Sequence, residues 1–114
     1  MPLTRDEIID NYPDNFIDGE EFDYLIEHAI KLVNVWEQYG NTFNGVKVFN
    51  DGGLMDVITL IELQLGDKYV YLSCTIMYET YYSIRINDEY MELNDNFDYS
   101  KIVNLLHFFY WFYP

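Results

Sequence analysis

Residues 54–78, LMDVITLIELQLGDKYVYLSCTIMY, decide the fold. Met55, Val57, Thr59, Ile61, Leu63 and Leu65 recur at every second position, the period of a strand that buries one face. Gly66-Asp67 has the two-residue form of a type II′ hairpin, and it leads into a second strand from Tyr69 to Tyr78. Downstream, Thr80 to Ile86 sends Tyr82, Ile84 and Ile86 to one side and Tyr81, Ser83 and Arg85 to the other. Asn87-Asp88 then turns toward a short strand at Tyr90 to Leu93. Upstream, Val46 and Val48 mark another short strand before the turn Asp51-Gly52-Gly53. Links this short exclude parallel crossovers, so the expected sheet is antiparallel, with three to four strands.

Helical periods flank the sheet. Thr4-Arg5-Asp6-Glu7 is a capping box that opens a helix of one or two turns, stopped before Asn11-Tyr12-Pro13. A second box, Asp18-Gly19-Glu20-Glu21, precedes Phe22, Leu25, Ile26, Ala29, Leu32, Val33 and Trp36, whose three- and four-residue spacing predicts a long amphipathic helix ending at Gly40. Glu20, Glu21, Asp23 and Glu27 sit in its first turns, where the positive end of the macrodipole favours them. Asp98 is a candidate N-cap for a closing helix through Ile102, Leu105, Leu106, Phe109 and Phe112. The aromatic run Phe108 to Tyr113 would point in every direction on that helix, more than one sheet face can cover. The expected architecture is a single α+β domain, residues 1–114: short N-terminal helix, long helix, antiparallel sheet, C-terminal helix.

Charge bounds the function. Twenty acidic residues against six basic ones leave a formal net charge of −14, while half the residues are apolar and 19% aromatic, enough to fold rather than remain an acidic tail. A surface this negative repels nucleic acid and anionic membranes, so direct binding to either is not expected and the favoured partner is a basic protein. Six scattered Lys and Arg residues cannot build a basic groove. The single cysteine, Cys74, excludes an internal disulfide and a multi-cysteine metal site, and suits a reducing cytoplasm. No charged leader running into an apolar stretch, and no apolar run near the ~20 residues of a bilayer span, marks the sequence for export or insertion.

Catalytic readings are weak. Nucleophilic catalysis would have to use Cys74 with His28 or His107. Cys74 alternates with Leu72 and Ile76 on an inward strand face, where a cysteine acts as a small hydrophobe, and His28 is expected on the flank of the long helix. Acids at four-residue spacing in Asp10 to Asp18 do not match the alternating ligands of a calcium loop, and Asn94 to Asp98 lacks its glycine and terminal glutamate. No phosphate-cradling glycine loop, dinucleotide fingerprint or HExxH is present. The expectation is a non-enzyme without cofactor or metal.

The acids are grouped. Residues 1 to 27 hold nine of them and one base, a net −8, and Asp88, Glu89, Glu92, Asp95 and Asp98 form a second cluster after the long strands. Carboxylates on a helix and its flanking loops can approximate the phosphate density of DNA and pair with Arg and Lys of a nucleic-acid site, and tyrosines among them suit a site that also stacks bases. In size, charge and element order the chain resembles small acidic phage and mobile-element proteins: anti-CRISPR proteins, anti-restriction DNA mimics and uracil-DNA glycosylase inhibitors. That resemblance rests on no diagnostic motif. It implies a stoichiometric inhibitor, in the host cytoplasm if phage-encoded, that occupies the nucleic-acid channel of a CRISPR effector or other nuclease. The expected contact patch is Asp14, Asp18, Glu20, Glu21, Asp23 and Glu27, with Asp88, Glu89, Glu92 and Asp95 second. An immunity protein or antitoxin against a basic toxin would share every one of these features. A third reading is an assembly subunit that docks, or forms a homodimer, through the aromatic C-terminal helix.

Overall fold

The computed structural model describes residues 3–12, 20–52 and 57–112, without the side chains of 51, 52, 57 and 108–112. Its elements run α1 (Arg5–Ile9), α2 (Glu20–Gln38), β1 (Phe43–Gly52), β2 (Val57–Leu65), β3 (Lys68–Ile76), β4 (Thr80–Ile86), β5 (Glu89–Glu92) and α3 (Tyr99–Phe112). The arrangement is α+β, and the sheet is an antiparallel meander in the order β1-β2-β3-β4-β5. It has five strands rather than three or four. The difference lies mainly in β1, which spans ten residues. A bulge shifts its register between Phe43 and Gly45, so Asn44 breaks the alternation, and its side-chain amide instead donates to the Gly66 carbonyl at 2.5 Å. Polar Asn44, Lys47 and Asn50 further masked the length of this strand, of which the sequence marked only Val46 and Val48 and which pairs with β2 on both sides of the bulge.

The β2–β3 hairpin pairs Leu65 with Lys68 around Gly66-Asp67. Gly66 has φ +65°, whereas Asp67 has no positive φ, the pattern of a type II′ turn. The turn residues Asp51 and Gly52 belong to β1, and residues 53–56 lie outside the described residues.

Local chemistry sets the helix ends. The Thr4 hydroxyl accepts from the Glu7 N–H at 3.2 Å and opens α1. The Asp98 carboxylate accepts from the Ser100 N–H at 3.0 Å and opens α3. Helix α2 closes at Gly40, whose φ of +83° suits a glycine and whose N–H donates to Glu37 O at 2.9 Å. The second capping box begins at Asp18, outside the described residues.

Alternation divides the sheet into two faces. Ile61, Leu63, Leu65, Val70, Leu72, Cys74, Ile84 and Ile86 are buried on one of them, against Leu25, Ala29, Leu32 and Val33 of α2. Helix α2 packs on β2 and β3, and α3 packs beside α2 with Ile102, Val103 and Leu106 buried. Fully burying a Leu or Ile contributes about 1.5–3 kcal/mol, so this one layer carries most of the stabilisation. At the far end of α2, the Trp36 indole N–H donates to Thr42 O at 2.7 Å and its ring lies beside Gly66, which pins the helix to the hairpin. No helix among the described residues is long and apolar enough to cross a membrane.

Candidate interaction surface

The first turns of α2 hold four of the expected contact residues. Glu20, Glu21 and Glu27 are exposed, and Asp23 is half-buried. The Arg5 guanidinium of α1 pairs with Asp23 at 2.5 Å, so the base in the first quarter of the chain is turned onto this acidic turn. Asp14 and Asp18 lie outside the described residues.

One face of α2 joins the loop before α3. The Tyr24 phenol donates to Asp95 Oδ1 at 2.8 Å, and one turn on, His28 Nδ1 and the Tyr99 hydroxyl are 2.5 Å apart. Rings fill the space between: Tyr24 meets His28 edge-on at 4.8 Å between centroids, and Phe97 meets Tyr99 edge-on at 5.3 Å. A recess of about 180 Å³ opens here, lined by Tyr24, Glu27, His28, Lys31, Asp95 and Tyr99. It brings together Glu27 from the first acidic cluster and Asp95 from the second.

The titration of this group follows from its packing. Burial, then Lys31, lowers the His28 pKa below its ordinary value, against the opposing pull of Asp95 and Glu27. Burial, then the bond to Asp95, pushes Tyr24 up to about 12, and burial followed by Glu27 does the same for Tyr99. Neutral His28 can therefore accept the Tyr99 proton at Nδ1 when its own proton is on Nε2. His28 is buried rather than on the helix flank. The signal was in the sequence: position 28 lies three residues after Leu25 and four before Leu32, on the apolar stripe.

The remaining acids go elsewhere. Asp88, in the β4–β5 turn, and Glu89, the first residue of β5, lie at the sheet end where Ile86 pairs with Val70, near the β2–β3 hairpin and Trp36. The first turns of α2 lie at the other end, where Glu21 is close enough to raise the pKa values of Cys74 and Tyr82. Glu92 pairs with Ser83 on the sheet face away from the helices. The structure thus unites Glu21, Glu27 and Asp95 at one end and holds Asp88 and Glu89 at the opposite one.

Cys74 is buried, and desolvation followed by Glu21 pushes its thiol up to about 11, far from a reactive thiolate. His107 Nε2 lies 3.3 Å from Asn41 Oδ1, and its ring is tilted against Trp36 at 5.7 Å, beside a cleft of about 660 Å³ that Asp67 and Lys68 also line. Each histidine thus has a partner other than the thiol. Among the described residues no group of three His, Cys, Asp or Glu side chains is placed to share a metal ion. The aromatic side chains of 108–113 lie outside the described residues. No protein family, no characterised protein and no solved structure matches the chain.

Proposed function

We propose that this chain is a non-enzymatic acidic inhibitor that occupies the basic nucleic-acid-binding surface of a host defence nuclease, in the manner of an anti-CRISPR protein or DNA mimic. The observation that carries the reading is the bond from Tyr24 to Asp95, which sets a carboxylate from the loop before α3 beside the exposed acids of α2. Acids from two distant segments thereby share one end of the molecule, on a chain whose net charge is −14. Such a surface attracts Arg and Lys arrays over long range and competes with phosphates for them.

The test is binding to a panel of basic nucleic-acid enzymes, CRISPR effectors, restriction nucleases and nuclease toxins, with competing DNA and a salt titration. Supporting behaviour is tight binding that DNA displaces and salt weakens, reduced roughly tenfold or more by Glu20→Lys with Glu27→Lys. Binding that ignores DNA and salt, or no binding across the panel, would sink the reading. Capture by a toxin alone would favour an immunity protein, which uses the same surface chemistry.

A further inference from the structure

The helices cover one face of the sheet, and among the described residues no element packs on the other. There the register aligns Lys47, Glu62, Tyr71, Arg85 and Tyr90 in a single row, one residue from each strand. The Arg85 guanidinium lies 4.6 Å from the centroid of the Tyr71 ring. Tyr90, at the end of the row, is 69% exposed, and Phe49, in the next row on β1, is 43% exposed. Among the described side chains of this face Lys47 and Arg85 balance Glu62 and Glu92, and the register adds one acid position, Asp51 opposite Ile58, on the same alternation as Lys47 and Phe49. On a chain of net charge −14, a face whose acids stand nearly balanced by Lys47 and Arg85 is one where a second copy meets little like charge.

We propose that this face is the contact between two copies of the chain, packed sheet on sheet about a two-fold axis parallel to β3. Because β3 is the middle strand, that axis lays it on its own counterpart and sets β2 over β4 and β1 over β5. Within the row, Glu62 then faces the partner's Arg85, and Arg85 faces the partner's Glu62. Lys47 falls over the ring of the partner's Tyr90, with the partner's Glu92 two residues along the strand. An axis across the strands would set each strand on itself, and Glu62 would meet the partner's Glu62 or an uncharged neighbour. The charge order along the row therefore selects one axis.

Strands about 4.8 Å apart and up to about 30 Å long give roughly 600–700 Å² of sheet face per copy, slightly less than the ~800 Å² per partner of a standard interface. A contact at the low end of the size range belongs with reversible interfaces, so the dimer is one that dissociates on dilution. The contact lies on the side of the sheet away from α2, so it stands or falls independently of the inhibitor reading.

The experiment is sedimentation equilibrium of the full chain over a concentration series at neutral pH. The expected result is a reversible monomer–dimer equilibrium. Glu62→Arg and Arg85→Glu should each raise the dissociation constant at least tenfold, and the double variant, with the charges exchanged, should recover most of the loss. Tyr90→Ala, at an exposed edge position, should weaken the dimer in a chain whose circular dichroism is unchanged, which covers the case of a charge variant that fails to fold. A monomer at every concentration overturns the proposal. So does a dimer that neither charge reversal weakens, since that contact would lie elsewhere, as at the C-terminal helix.

Discussion

Tyr24 on α2 donates to Asp95 Oδ1 at 2.8 Å across a separation of 71 residues, and this bond sets the loop before α3 against the long helix. Removing the phenol oxygen leaves the Asp95 carboxylate free to turn to water, because Asp95 is exposed. Tyr24→Phe should therefore lower stability by about 0.5–1.5 kcal/mol in urea unfolding, with an unchanged m-value. A change in m would show that the bond organises more than this junction.

Alkaline pH attacks the same junction. The folded pKa values of Tyr24 and Tyr99, both pushed up to about 12, lie above the ordinary value of 10.0, so the folded state holds these protons more tightly than the unfolded chain. Their contribution is whole below pH 10 and is lost as pH rises toward 12. Thermal melts should show Tm falling through that window, and less so in a Tyr24→Phe, Tyr99→Phe variant. Parallel profiles for the two proteins would contradict the assignment.

Acid acts through His28. Its lowered pKa means that the folded state resists the proton, so the stabilisation is present above the unfolded value of about 6.5 and declines as pH falls through the folded one. The groups around it are Tyr24, Tyr99, Lys31, Glu27 and Asp95. Replacing the titrating ring should flatten the decline: between pH 7 and 5, His28→Gln should lose less stability than the parent chain. Denaturant titrations at several pH values measure this, and an equal loss in both proteins would assign the decline to carboxylates.

Gly66 is constrained by its backbone rather than by space. An added Cβ would meet Trp36 Cζ2 at 3.6 Å, ordinary contact, but φ is +65°. Gly66→Ala should cost about 1–2 kcal/mol while leaving the hairpin register intact. Chemical shifts of Leu65 and Lys68 would reveal a slipped register, which would mean that the strand faces do not hold the pairing by themselves.

Salt should stabilise the protein. With a net charge of −14, self-repulsion opposes the compact state, and screening over roughly 8–10 Å relieves it. Tm should rise between low and physiological sodium chloride. A fall would indicate that local pairs such as Arg5 with Asp23 outweigh the general repulsion.

The α+β arrangement, the hairpin at Gly66-Asp67, the limits of β4 and the inward position of Cys74 could all be read along the chain. Each of these is local: period-two alternation assigns a strand its faces, and a two-residue turn sets its partner. Hydroxyl and carboxylate caps at Thr4 and Asp98 marked helix starts for the same reason. The length of β1 was not legible, because a bulge at Asn44 disturbs the alternation that would have revealed it. Which acids meet depends on packing between distant segments. Glu27 and Asp95 line one recess because α2 lies across β2 and β3 and brings Tyr24 to the loop after β5, whereas the short β5 carries Asp88 and Glu89 to the other end. Charge has no period along a chain, so the grouping of carboxylates in space follows from how the elements pack.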